Sequence, residues 1–167
     1  MRPRVLVAAI GNMFLGDDGF GMEVLSELAR ADLPNWVQIA DYGICGTHLA
    51  DLLGDYDTTI LLDATPHGRP PGSLSLIEAA SEDLPSSAAV DAHGLHRDAV
   101  FRLLRLLGGD AGRVLIIGCE PARTTGGIGL SPEVAAAIPA AVAAVTELAW
   151  GDAADGAQAR FGKLASA

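Results

Sequence analysis

Apolar positions along the chain follow two different periods. Short continuous runs rich in Val, Ile and Leu alternate with longer segments whose apolar residues recur every three or four positions. The continuous runs predict strands at 4–10, 36–43, 58–64, 73–79 and 113–121. The helical spacing predicts helices at 20–31, 47–55, 92–107 and 132–150. This alternation predicts an α/β fold, a three-layer α/β/α sandwich around a mostly parallel, twisted sheet of about five strands.

Local signals refine the ends of this pattern. The run at 73–79 alternates between apolar and polar residues, as a half-exposed edge strand does. Ser131 followed by Pro132 predicts a capped start for the last helix, and Pro139 predicts a kink or interruption within it. The residues after Trp150 are small and mixed in charge, so we expect one domain at 1–150 and a loosely ordered tail at 151–167.

Composition narrows the class of protein. The formal charge of -10 disfavours nucleic acid as a partner, because phosphate binding needs clustered Lys and Arg. Cys45 and Cys119 give no disulfide framework, which fits a reducing compartment. The apolar run near the N-terminus is too short for a signal peptide, and we expect no membrane insertion because no apolar run reaches about 18 residues. A cytoplasmic protein is expected.

Polar residues with possible chemistry follow most of the predicted strands. Parallel strands of an α/β sheet end at one edge, where binding sites gather. The residues predicted at this edge are Asn12, Asp17, Asp18, Asp41, Asp63, His93, Cys119 and Glu120.

Three of these residues also have a structural interpretation. Asp18 can cap the following helix, Asp63 can accept hydrogen bonds from a loop, and His93 can have a satisfied ring at a helix start. Two carboxylates and an imidazole from three junctions can instead hold a divalent ion such as Zn, Ni or Co, which would relieve the repulsion between the acids. His96 could add a second imidazole or be a surface histidine.

Other chemistries fit the sequence less well. The glycines of the first loop miss the spacing of a dinucleotide-binding turn, and no G-K-S/T or G-x-S-x-G motif is present. Cys45 or Cys119 with His93 could form a nucleophilic pair, but both cysteines border apolar strands or glycine turns.

Taken in order, these segments resemble the maturation endopeptidases of nickel–iron hydrogenases over about residues 4–148. The most specific segment is "AIGNMFLGDDGFG", with its Gly-Asn pair, tandem acids and flanking glycines. The segments "DYGICGTHLADLL", "ILLDAT", "DAHGLHRDAV", "GCEP" and "GLSP" follow at matching intervals. Tyr42, Ile44 and Cys45 depart from the family's usual second loop, which leaves the type of hydrogenase open.

The resemblance implies a function. It implies a nickel-dependent endopeptidase that removes the C-terminal extension of a hydrogenase large-subunit precursor. Separately, we expect a monomer. Asp18, Asp63 and His93 match the family's metal-binding set and are the expected catalytic residues. Nickel is expected to arrive with the substrate, and another divalent ion could substitute. The alternatives are a non-catalytic checkpoint or chaperone-like module that recognises the nickel-loaded subunit, and an enzyme of the same fold that cleaves another peptide.

Overall fold

The structure, a computed structural model, describes residues 3–43, 54–79 and 112–150. Within these ranges the strands are β1 (Val5–Ala9), β2 (Val37–Asp41), β3 (Thr58–Ala64), β4 (Leu74–Ala79) and β5 (Arg113–Cys119). The helices are α1 (Phe20–Ala29) and α2 (Pro132–Trp150), with a single 3-10 turn at Gly16–Gly19. The helix predicted at 92–107, most of the one at 47–55, and the tail at 151–167 lie outside the described residues.

The five strands form one sheet in the order β2-β1-β3-β5-β4. The pairs β1–β2, β1–β3 and β3–β5 are parallel, and β4 is antiparallel to β5. The predicted α/β fold with a mostly parallel sheet is therefore confirmed. The run at 73–79 is an edge strand, as its alternation predicted, with Leu74 buried and Ile77 exposed.

Both faces of the central strands are buried. Val5, Val7 and Ala9 of β1 join the cluster that packs under α1 and α2, and Leu6 and Ala8 join a second cluster on the opposite face. This two-sided burial explains why β1 is continuously apolar. α1 lies so close to the sheet that a Cβ on Gly21 would come 2.8 Å from the carbonyl oxygen of Leu62.

Helix α2 differs from the sequence expectation in one respect. It runs without interruption through Pro139, which lies on the exposed side where water can hydrate the carbonyl that the proline leaves unbonded. By length and composition alone α2 is also long and apolar enough to cross a membrane, a test that the core helix of a globular protein can pass as well. Val134, Ala141 and Val145 are nevertheless buried in the core, and this burial accounts for the apolar composition of α2.

Candidate active site

The loop between β1 and α1 is held by its own backbone. The Gly11 N–H donates to the Gly43 carbonyl at 3.1 Å, and the Asp18 N–H donates to the Leu15 carbonyl at 3.2 Å. Gly11 has a φ of +139°, and a Cβ there would collide with the carbonyl oxygen of Asp18. Glycine is therefore required at this position by both conformation and space. The close approach fixes Asp18 directly beyond the end of β1.

Asp17 is the structural member of the tandem acids. Its side chain is fully buried and accepts four hydrogen bonds: from the N–H groups of Ala122 at 2.8 Å, Arg123 at 2.9 Å and Ser131 at 2.7 Å, and from the Ser131 hydroxyl at 2.9 Å. Burial raises the pKa of Asp17, but the hydrogen bonds from Arg123, Ser131 and Ala122 outweigh it and hold this pKa below its ordinary value. Asp17 thus ties the first loop to the segment that leads into α2.

The structure adds a contact to the expected role of Ser131. Its hydroxyl donates to Asp17, and its carbonyl accepts the Ala135 N–H at 2.9 Å as the first hydrogen bond of α2, so Ser131 occupies the N-cap position expected from the sequence. Asp17 itself lies at the N-terminal end of α2, where the helix dipole also favours a negative charge. It therefore does not cap the helix that follows it in sequence.

Asp18 has a different environment from its neighbour. The helix α1 begins after Gly19 and has no side-chain cap, so the interpretation of Asp18 as a helix cap is wrong. Oδ2 of Asp18 accepts the Asn12 N–H at 2.7 Å. Within the described ranges, its Oδ1 has no hydrogen-bond partner, and the side chain is partly exposed. Within the described part of the chain, Asp18 therefore offers a carboxylate oxygen that is not engaged, as both oxygens of Asp17 are.

Asp63 lies on the neighbouring strand at the same edge. It occupies the next-to-last position of β3, opposite Gly118 of β5, and its side chain is 8% exposed. The residue before it, Leu62, accepts the Ile10 N–H at 3.1 Å. Since adjacent strands lie about 4.8 Å apart, Asp63 and the Gly11–Asp18 contact belong to one region of the sheet edge.

His93, the third expected site residue, lies outside the described residues. In the part of the chain that the structure describes, no three His, Cys, Asp or Glu side chains are arranged to hold a metal ion. The two described acids supply oxygen donors, which suit a divalent cation. The complete ligand set of Asp18, Asp63 and His93 stays a prediction.

The remaining candidates at this edge have structural contacts. Asp41 accepts the Gly43 N–H at 2.8 Å, which shapes the turn that contacts Gly11. The buried carboxylate of Glu120 accepts the N–H groups of His67 at 2.7 Å and Gly68 at 3.1 Å, and so holds the loop after β3.

Cys119 is unsuited to nucleophilic catalysis. It is fully buried, and burial together with the nearby charges of Asp17 and Glu120 raises the pKa of its thiol to about 12. A protonated, inaccessible thiol is a weak nucleophile. The alternative nucleophile Cys45 lies outside the described residues.

The fold and this edge define an α/β protein with acidic side chains at the carboxyl ends of its parallel strands. The model of the hydrogenase maturation protease family matches residues 22–148, and the chain belongs to that family. The sequence-based resemblance is confirmed, and the protein is a peptidase of the hydrogenase maturation type.

Individual relatives agree with this assignment. The chain is 35% identical over 155 residues to the hydrogenase expression/formation protein HupD of Rhodobacter capsulatus, covering 89% of this chain and 73% of the relative. It is 33% identical to a putative hydrogenase maturation protease of Methanocaldococcus jannaschii, covering 83% and 91%. Among solved structures, it resembles the hydrogenase maturating endopeptidase HybD of E. coli with a TM-score of 0.74 and 29% identity, covering 87% and 93%. A hydrogenase 2 maturation peptidase from a Thaumarchaeota archaeon gives a TM-score of 0.68 and 38% identity, covering 87% and 97%.

Proposed function

We propose that this protein removes the C-terminal extension of a nickel–iron hydrogenase large-subunit precursor and that it recognises nickel already inserted in that precursor. Membership of the maturation protease family supports the reaction class. The observation that carries the proposal is the different use of the two tandem acids. Asp17 has its carboxylate occupied by four hydrogen bonds, whereas Asp18, at the edge that also holds Asp63, has one carboxylate oxygen with no partner among the described residues.

The charge of this edge favours a cation over an anion. Two carboxylates brought close together repel each other, and a divalent ion between them relieves that repulsion. In the proposal the ion is the nickel of the substrate, contacted by Asp18, Asp63 and His93. Bound there, nickel would supply Lewis acidity for hydrolysis of the peptide bond.

The proposal places the protein in the cytoplasm as a monomer. Cys119 is a free, buried thiol, and free thiols are typical of a reducing compartment. This observation supports the location, while the net charge of -10 favours separate chains over self-association.

The test is a cleavage assay with nickel-loaded and nickel-free precursor, followed by the mass of the large subunit. We expect cleavage only of the loaded precursor. Loss of one metal contact removes part of the several kcal/mol that a metal ion supplies, so Asp18→Asn and Asp63→Asn should each lower kcat/KM by roughly 100-fold or more. Asp32→Asn is the matched control, because Asp32 is an exposed acid in the loop after α1.

Three outcomes would contradict the proposal. If the nickel-free precursor is cleaved as fast as the nickel-loaded one, nickel has no role in recognition. If Asp18→Asn and Asp63→Asn both cleave the precursor at the wild-type rate, the assignment of these residues to the site is wrong. Nickel-dependent binding of the precursor without any cleavage by the wild-type protein favours the checkpoint function instead.

A further inference from the structure

An exposed apolar surface borders Asp18. Its residues are Met13, Phe14, Leu15 and Ile128, which are 47%, 61%, 37% and 68% exposed. We call these four residues the apolar rim. Among the described residues, one further large apolar side chain is comparably exposed, and it lies on β4 at the edge of the sheet. Concentration of exposed apolar side chains in one place is typical of interaction sites.

The apolar rim has a fixed backbone. The N–H groups of Phe14 and Leu15 donate to the side-chain and main-chain oxygens of Asn12, at 2.9 and 3.0 Å. The Gly16 N–H donates to the Gly127 carbonyl at 2.8 Å, which joins the loop after β1 to the loop that carries Ile128. The rim therefore exposes its side chains from a preorganised scaffold, which lowers the entropy cost of binding a partner.

A groove continues from the apolar rim along α1 to the edge strand β2. Its volume is about 430 Å³, within the range of sites that bind small ligands or short peptide segments. Met13 and Ile128 line one part of it, and Ile39 of β2 lines another. The charged side chains among the described lining residues are Glu23 and Asp41, both acidic.

We propose that the apolar rim and the groove bind an extended segment of the precursor polypeptide, with apolar side chains against the rim and no acidic side chains in the groove. The inference rests on the proposed function. Leu15 of the rim contacts Asp18, whose N–H donates to the Leu15 carbonyl at 3.2 Å. Met13 lies against the next residue, Gly19, where a Cβ would come 3.2 Å from the Met13 Cα. A peptide whose cleaved bond lies at Asp18 therefore contacts the rim. A second copy of this chain is a poor occupant, since both copies carry a charge of -10.

The test compares the double variant Phe14→Ser/Ile128→Ser with Ile77→Ser, the matched control. Ile77 is 39% exposed on β4, the edge strand opposite β2. Since burying such side chains against a partner strengthens binding, we expect the double variant to raise KM for nickel-loaded precursor about tenfold or more. The value of kcat and the midpoint of urea unfolding should stay at wild-type levels, and the control should match the wild-type protein throughout.

The outcomes separate this inference from the proposed function. Wild-type KM in the double variant, or an equal rise of KM in Ile77→Ser, overturns the inference and leaves the proposed function intact. If the wild-type protein does not cleave the precursor, the proposed function fails, and calorimetric binding of the precursor still tests the rim by the same comparison. A wild-type dimer in sedimentation that the double variant converts to a monomer with unchanged KM identifies self-association and overturns the inference.

Discussion

Replacement of Asp17 by Asn tests the structural role of Asp17, the buried one of the two adjacent acids. The substitution keeps the shape of the side chain, removes its charge, and turns one of its two oxygens into an amide donor. Oδ2 accepts three of the four hydrogen bonds and Oδ1 accepts the Ser131 N–H. The least disruptive amide orientation therefore puts its nitrogen in the Oδ1 position, opposite the Ser131 N–H.

The loss in free energy of unfolding caused by Asp17→Asn follows from these contacts. Hydrogen bonds to a charged group contribute about 1.5–3 kcal/mol and neutral ones about 0.5–1.5, so three bonds weaken when the charge is lost. The fourth is lost and leaves a buried N–H unpaired, which costs a further 1–3 kcal/mol or so. Allowing for relaxation, we expect Asp17→Asn to lower the free energy of unfolding by about 3 kcal/mol, a large part of the stability of a typical domain. Asp18→Asn is the matched comparison, with one hydrogen bond and partial exposure, and should cost less than about 1 kcal/mol.

Urea unfolding at several pH values measures both effects. The pKa of Asp17 in the folded protein lies below its ordinary value of 3.8. Its contribution is therefore complete above the unfolded pKa and is lost as the pH falls through the folded pKa. The difference in stability between the wild-type protein and Asp17→Asn should be constant near neutral pH and shrink below about pH 4. A loss under about 0.5 kcal/mol, or a larger loss for Asp18→Asn, would refute the assignment.

Two further predictions concern the surroundings of the site. Gly11→Ala should destabilise the fold by about 2 kcal/mol or more and reduce cleavage, because the added methyl collides with the Asp18 carbonyl and φ is positive. Gly127 also has a positive φ but has open space for a Cβ, so thermal unfolding should show a smaller loss of stability for Gly127→Ala. An equal loss of stability in the two variants would contradict the collision at Gly11. Cys119→Ala should retain wild-type cleavage, and mass mapping after iodoacetamide treatment should find Cys119 alkylated only in unfolded protein, since its pKa is about 12 and the thiol is buried. Alkylation of Cys119 in the folded protein would show that the thiol is accessible.

The described strands and α1 could be predicted from the sequence because their signals are local. Burial on both faces makes β1 and β3 continuously apolar, and one-sided burial makes β4 alternate, so period and composition identified each strand within about two residues. The carboxyl edge also followed from the sequence. In a parallel sheet the strand order need not be known to place Asp18 and Asp63 at the same edge.

Only the tertiary structure decided how the two adjacent acids differ. Asp17 and Asp18 are equivalent in local sequence, and both could cap a helix. The partners of Asp17 are 105 to 114 residues away along the chain, where no local pattern signals a contact. The same long-range contacts engaged the Ser131 hydroxyl and joined the loop of Ile128 to the loop of Met13. Local periodicity determined the scaffold, and the packing of distant loops decided which carboxylate is buried and which one is partly exposed.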